Sequence, residues 1–258
     1  MCSEKIDKGN RFDWGKASDS YAAYRDIYPE KMYREFFRLG FGGAGGRYLD
    51  IGTGTGVIPR FMHGYGGRLY GIDAAENQII KAEELSSGLD LNYSVGSAES
   101  IPFESCYFDG ASAVQCWRYF DKTKAVPEIY RVIKKGGIFI IAYMQWLPGE
   151  SEIIKASLEL VKKYTPNWDC FLERINVKNS TLSLDGFKKK EFLEFDCDIP
   201  FSYESWNGRM IASRGIAATL SKKETESFSA EHLEMLKNTA DENFSLRHQI
   251  AIFCFEKE

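Results

Sequence analysis

Short apolar runs punctuated by amphipathic stretches organise the middle of the chain. Tyr48, Leu49 and Ile51 form the first run, with Asp50 set into it, and Leu69–Ile72, Leu91–Val95, Gly110–Val114 and Ile138–Tyr143 follow. Each has the length and composition of a strand. Between the second and third runs, a helix is predicted from Ala74 to about Ser87 with Ile79, Ile80 and Leu85 as its apolar side. Another is predicted from about Thr123 to Lys134, burying Val126, Ile129, Tyr130 and Ile133. Its end reads KKGG, cations and glycines where a helix C-terminus favours them. The segment FESCYFD, ahead of the fourth run, reads as an exposed turn. Ile138–Tyr143 is almost wholly apolar, as a strand covered on both faces is. Five strands separated by helices or crossover-length connections predict an open parallel sheet.

The flanks follow other patterns. Tyr21, Tyr24 and Tyr28 fall on one helical face until Pro29 interrupts it. A second helix, with Met32, Tyr33, Phe36, Phe37 and Leu39 facing inward, is expected to end at Gly40, and FGGAGG links it to the first strand. Past residue 146 the regular alternation fails. Glu152–Tyr164 is an amphipathic helix, the polar stretch around Pro166 and Asn176 has no clear period, and Glu191–Ile199 is a candidate sixth strand. A helix from Tyr203 to about Leu220 and a second one opened by the capping box of Ser221 and Glu224 come next. Gln249–Phe255 closes the pattern as a strand.

Composition narrows the class. With 258 residues, 44% apolar and 27% charged, the chain is an ordinary globular protein large enough for a substantial core. A net charge of -4 supplies no global positive field for nucleic acid or an anionic membrane. The six cysteines contain no C-x-x-C pair and the three histidines stand apart from them, which suggests neither a zinc site nor a disulfide scaffold. No run approaches the ~18 apolar residues of a membrane span, and the polar start MCSEKIDKGNR has no apolar leader core, so a cytoplasmic protein is expected.

Candidate chemistry centres on YLDIGTGTGVIP, residues 48–59, where a strand runs into Gly52, Gly54 and Gly56. Glycines at such a turn allow positive φ and close approach of a ligand to the main chain. The spacing is G-x-G-x-G, and Val57 stands where a dinucleotide fold has its third glycine. Asp73, ending the next strand, is placed to accept from both hydroxyls of a ribose, or to cap the helix that follows. Together these features point to a nucleoside ligand without a diphosphate.

Four motifs, LDIGTGTG, YGIDAAENQI, GSAESIPFESCYFDGASA and IYRVIKKGGIFIIAY, run in order over roughly residues 45–145. Through them the chain resembles the class I S-adenosylmethionine-dependent methyltransferases, in particular the type-11 small-molecule group that includes ubiquinone and menaquinone methyltransferases. The resemblance implies an α/β, Rossmann-like, doubly wound seven-strand sheet, mostly parallel with an antiparallel last strand, and a helical cap. It implies one methyltransferase domain over 1–258: an N-terminal helical lid (1–44), a core binding S-adenosylmethionine (45–146), a cap insertion with C-terminal helices (147–240) and the last strand (241–258). It also implies S-adenosylhomocysteine as product, a small-molecule acceptor, no nucleic-acid or membrane partner, and a monomer or homodimer.

Residue by residue, the resemblance places the methionine end of the cofactor over Gly52, Thr53 and Gly54, with Asp50 holding the loop or receiving the amino group. Asp73 binds the ribose, Ala74 packs under the adenine, and Ser97, Ala98 and Glu99 border it. Ser97 departs from the family's frequent Asp and so lacks the charge that strengthens such a bond. Gln115 lies beside the methionine moiety, and Tyr24 and Arg25 close over the site, with Arg25 on the cofactor carboxylate and Tyr21 beside them.

Methyl transfer from a sulfonium needs alignment of nucleophile and methyl, and in some cases removal of a proton. Trp117, Tyr119, Phe120 and Trp146 follow strands at the edge where α/β sheets bind ligands, and aromatic faces suit a cation. Packing explains any one of them equally well. The segment SWNGRMIASRGIAATLS looks like part of the cap in a subset of type-11 enzymes. His248 is a candidate base or a structural residue, and the sequence names no base outright. Two rival functions remain. VQCWRYF lacks the N/D-P-P-Y/F motif that grips a flipped-out base, which counts against nucleic-acid methylation, and a non-catalytic S-adenosylmethionine-binding regulator stands as the other alternative.

Overall fold

A computed structural model describes residues 27–166, 168, 174–175, 182–217 and 219–258. The predicted helix carrying Tyr21, Tyr24 and Arg25 lies outside the described residues. Seven strands, β1 (Arg47–Ile51), β2 (Arg68–Asp73), β3 (Leu91–Val95), β4 (Phe108–Val114), β5 (Ile133–Trp146), β6 (Phe187–Ser202) and β7 (Asn243–Lys257), form one sheet in the order β3-β2-β1-β4-β5-β7-β6. β1 pairs in parallel with β2 and β4, β2 with β3, and β4 with β5, while the last strands run antiparallel. The chain steps outward from β1 to β3, then returns to build β4 and β5 on the other side of β1. Strand order therefore reverses at β1, which puts the crevice beyond β1 and β4 where doubly wound sheets bind ligands.

The helices are α1 (Glu30–Leu39), α2 (Val57–Met62), α3 (Glu76–Leu85), α4 (Lys122–Val132), α5 (Glu152–Tyr164), α6 (Tyr203–Ile211), α7 (Arg214–Ala217) and α8 (Lys222–Thr239) among the described residues. The chain divides into two compact units. The larger one comprises Pro29–Met144, Ile175–Phe195 and Ile250–Glu258. Its core joins Leu49, Ile51 and Ile72 to Phe108, Phe139, Ile141, Phe253 and Phe255. The smaller unit comprises, among the described residues, those of 27–28, Gln145–Arg174 and Asp196–Gln249.

In the smaller unit a buried polar network joins α5, α6 and α8. Ser157 Oγ accepts from Trp206 Nε1 at 2.9 Å and lies 3.0 Å from His232 Nε2. His232 Nδ1 is 2.9 Å from Asn207 Oδ1, and burial pulls this imidazole down to about 4, so it is neutral at pH 7. A neutral ring donates at one nitrogen and accepts at the other, which makes the pairing directional. The capping box opening α8 forms as expected: Ser221 Oγ accepts from Glu224 N, and the Glu224 carboxylate accepts from Ser221 N. Ser221→Ala should lower stability by about 1 kcal/mol. A midpoint unchanged in urea denaturation of the full chain would count against that role.

Several local expectations are corrected. Phe37 is 46% exposed because Met32, Tyr33, Phe36 and Leu39 already fill the buried face of α1; its ring rests on Tyr65. Ile80 and Leu85 are exposed, since α3 buries Gln78, Ile79 and Ala82 instead. Its N-cap is Ala75, so Ala74 is outside the helix. FESCYFD is not wholly exposed: Phe108 begins β4 fully buried and pairs with Ile133.

That pairing also removes Ile133 from α4, which ends at Val132 and buries Ala125, Ile129 and Val132. KKGG therefore lies in β5, with Gly136 left-handed at φ 74°. A cation still serves the end of α4, but it is Lys257, whose Nζ donates to Tyr130 O at 2.8 Å and Ile133 O at 2.7 Å. The predicted helix from Tyr203 to Leu220 is broken at Ala212 and Ser213 into α6 and α7. The sixth and seventh strands run longer than expected, and β7 includes His248.

Candidate functional site

The site begins where β1 ends. Gly52 N and Thr53 N both donate to Ile72 O, at 2.8 and 2.9 Å, which turns the chain sharply off the sheet. Gly52, Gly54 and Gly56 are left-handed, with φ of 69°, 56° and 77°, as the glycine pattern anticipates. Two of the three also make room for the protein itself. A Cβ on Gly52 would lie 2.9 Å from Cys116 Cβ and Sγ, and one on Gly56 would collide with the Tyr93 hydroxyl. The loop is thus packed from below by Cys116 and Tyr93, neither of which the motif singled out.

Two carboxylates hold this loop. Asp73 Oδ2 accepts from Gly54 N and Oδ1 from Ala75 N, both at 2.9 Å, so one side chain ties the glycine loop to the start of α3. Helix capping, the alternative to ribose binding for Asp73, is not what it does: the N-cap of α3 is Ala75, with no side-chain cap bond, and each Asp73 oxygen keeps a further lone pair for a ligand donor. Burial raises the Asp73 pKa, against the pull of the peptide N–H groups of Ala75, Gly54 and Ala74.

Asp50 is 2% exposed and accepts from Ser112 Oγ at 2.7 Å, its partner across β1 and β4. Burial pushes Asp50 up to about 7; the Ser112 and Thr53 hydroxyls pull it down, and the charge of Asp73 adds to the rise. The Cys116 thiol is raised well above its ordinary value by burial, then by Asp50 and Asp73. The floor of the loop therefore holds two carboxylates whose charge desolvation disfavours, a setting in which a cation would restore that charge. Ser112 was legible only as a polar residue inside the apolar run GASAV.

The remaining expected residues divide. Gln115 stands just past β4 with φ 63°, its amide donating to Met144 O at 2.7 Å. Ser97 forms an isolated bridge with Ser100, Ala98 is buried in the core cluster, and Glu99 Oε1 accepts from Asp121 N at 2.8 Å, ahead of α4. Trp117 is 4% exposed and packs edge-on against Phe120 and Phe139, which gives it a core role, whereas Tyr119 is exposed. All of these belong to the larger unit.

Trp146 and His248 belong to the smaller one. Trp146 meets Trp206 edge-on at 5.6 Å, and the Arg209 guanidinium lies over its ring at 5.5 Å. His248 is fully buried within a strand, where the sequence suggested a position before one; its Nδ1 donates to Leu246 O at 2.8 Å. Burial lowers it to about 4, and Nε2 has no hydrogen-bond partner among the described residues. Such an imidazole is neutral at pH 7 and a weak base.

Residues 49–141 match the model of a methyltransferase domain, type 11. The chain is similar to the biotin biosynthesis bifunctional protein BioHC of Teredinibacter turnerae, 32% identical over 41% of this chain and 21% of that one. It is also similar to the ubiquinone/menaquinone biosynthesis C-methyltransferase UbiE of Desulfotalea psychrophila, 31% identical over 42% of this chain and 46% of that one. The matches thus span no more than about half the length of these relatives. Among solved structures, the YcgJ protein of Bacillus subtilis shares the fold, with a TM-score of 0.55 at 20% identity over 89% of this chain and 100% of that one. The glycine loop, the terminal acid of β2 and the strand order agree with this match, and together they support a class I S-adenosylmethionine-dependent methyltransferase domain of the type-11 group over residues 49–141.

Proposed function

We propose that the protein transfers the methyl group of S-adenosylmethionine to a small-molecule acceptor, with residues 45–146 holding the donor and residues 147–240 shaping the acceptor site. The observation that carries this is the buried carboxylate of Asp50 and the half-buried one of Asp73, set against a left-handed glycine loop. The donor set fits the cofactor. Asp73 has lone pairs to spare for ribose hydroxyls, and Asp50, raised to about 7 where it lies, regains its charge beside an ammonium or sulfonium. When bound, S-adenosylmethionine supplies a methyl already activated on a positive sulfur, so alignment is the protein's main task.

Asp50 holds the end of β1 to Ser112, and Asp73 sets the height of Gly54. Ser97, Ala98 and Glu99 border the adenine in this reading, and Gln115 borders the methionine end. The acceptor class rests on the methyltransferases named as relatives and on the acidic balance of the chain. No helix among the described residues is long and apolar enough to cross a membrane.

Asp73→Ala is expected to weaken S-adenosylmethionine binding by about 1.5–3 kcal/mol, since charge-assisted bonds to the ribose and the tether to Gly54 are lost together. Equal affinities of the two proteins by calorimetry would overturn the placement of the donor. Turnover itself is tested by incubating the full chain with S-adenosylmethionine and fractionated metabolite extracts and measuring S-adenosylhomocysteine release. Release in no fraction, despite tight donor binding, would favour a regulator over an enzyme.

A further inference from the structure

At the C-terminal edge of β4 the chain does something that costs energy. Gln115 is left-handed at φ 63°, a conformation that Gly adopts freely and a Gln does not. Strain of this kind persists only where neighbouring bonds enforce it, and it gathers at functional sites. Those bonds are present. Gln115 N donates to Ala142 O at 2.9 Å, and the side-chain Nε2 donates to Met144 O at 2.7 Å, so one residue grips the end of β5 twice. The next residue grips the other neighbour of β4: Cys116 Sγ–H donates to Ile51 O at 3.0 Å, immediately before the first glycine of the loop.

We infer that Gln115 is a positioning residue whose strained turn, with Cys116, latches the ends of β1, β4 and β5 together and so sets the entry of the glycine loop for the methyl donor. Three features agree with that role. The Cys116 side chain fills the space beside Gly52 that a Cβ would need, so its placement fixes how Gly52 sits. Burial and the nearby Asp50 and Asp73 hold the Cys116 thiol protonated, which keeps it a donor to Ile51 O. The Gln115 amide is oriented by a carbonyl acceptor, which demands nitrogen on that side and turns Oε1 away from Met144.

The inference rests on the donor reading above, and the test separates the two. Wild type, Gln115→Gly and Gln115→Asn are compared as full chains by calorimetry with S-adenosylmethionine and with S-adenosylhomocysteine, and by thermal melting without ligand. Glycine relieves the left-handed strain and loses the amide; asparagine tolerates that conformation but falls one methylene short of Met144 O. Both variants should bind the donor about tenfold more weakly. Gln115→Gly should melt at or above the wild-type temperature, an outcome that no loss of core packing produces. Donor affinities within about twofold of wild type in both variants, or a lowered melting temperature for Gln115→Gly, would overturn the latch. Absence of donor binding by the wild type would overturn the donor reading instead, and the latch's role with it.

Discussion

Trp117→Ala should lower the folding stability of the protein by about 3–5 kcal/mol, the range for removing a large aromatic from a core. The indole is 4% exposed, its edge meets Phe120 at 5.7 Å and Phe139 at 5.6 Å, and it belongs to the cluster that joins β1, β4, β5 and β7. Its position directly after β4 had suggested a wall of the active site. Because neighbours enclose the ring, the substitution leaves a cavity in the core that those neighbours fill only in part. Denaturant unfolding measures the effect, and Trp117→Phe, which keeps most of the volume, should recover much of the loss. A Trp117→Ala protein as stable as wild type but unable to release S-adenosylhomocysteine would return the residue to the catalytic site.

The second large effect concerns Asp50. Its folded pKa is about 7, against about 3.9 for a free aspartate, so the native state binds the proton more tightly than the unfolded chain does. Folding therefore binds protons between these values, and stability falls as pH rises through the window from about 4 to about 7. A shift of about three units corresponds to at most about 4 kcal/mol, a bound reached only if the carboxylate stays fully buried. Asp50→Asn keeps an oxygen for Ser112 and carries no charge to bury. In the absence of ligand it should exceed wild type in stability by about 2–4 kcal/mol at pH 8, and the advantage should vanish near pH 4.

The same substitution should weaken S-adenosylmethionine binding at pH 8, because the cation then loses the anion it would restore. Stability that depends identically on pH in the two proteins would mean that Asp50 titrates normally. Stabilisation together with unchanged donor affinity would mean that the carboxylate does not face the ligand's charge. Asp50 thereby becomes a residue retained at the expense of stability.

Much of this site was legible before any coordinates. The three glycines, Asp50 in the first strand and Asp73 ending the second are consecutive features of one βαβ unit, so their meeting follows from local geometry and the handedness of the crossover. The surroundings were less visible. Tyr93, on β3, and Cys116, just past β4, reach the loop from 37 and 65 residues away in sequence, as their bonds to Gly56 and Ile51 record. No period or motif announces such a contact. The left-handed turn at Gln115 was hidden for the opposite reason: a glutamine in that conformation contradicts its own preference, and only the surrounding bonds impose it.

The sequence by itself determined the alternation of strands and helices from β1 to β5, the glycine loop, the carboxylate that ends β2 and the capping box of α8, all of which depend on residues close together in the chain. Tertiary structure decided which polar side chains are buried and what they meet. Lys257 closes α4 from the far end of the chain, His232 joins Ser157 to Asn207, and Trp117 is enclosed by the core. Burial is a property of the assembled fold, and desolvation, which raises Asp50 and lowers both His232 and His248, exists only once distant segments have excluded water from these groups.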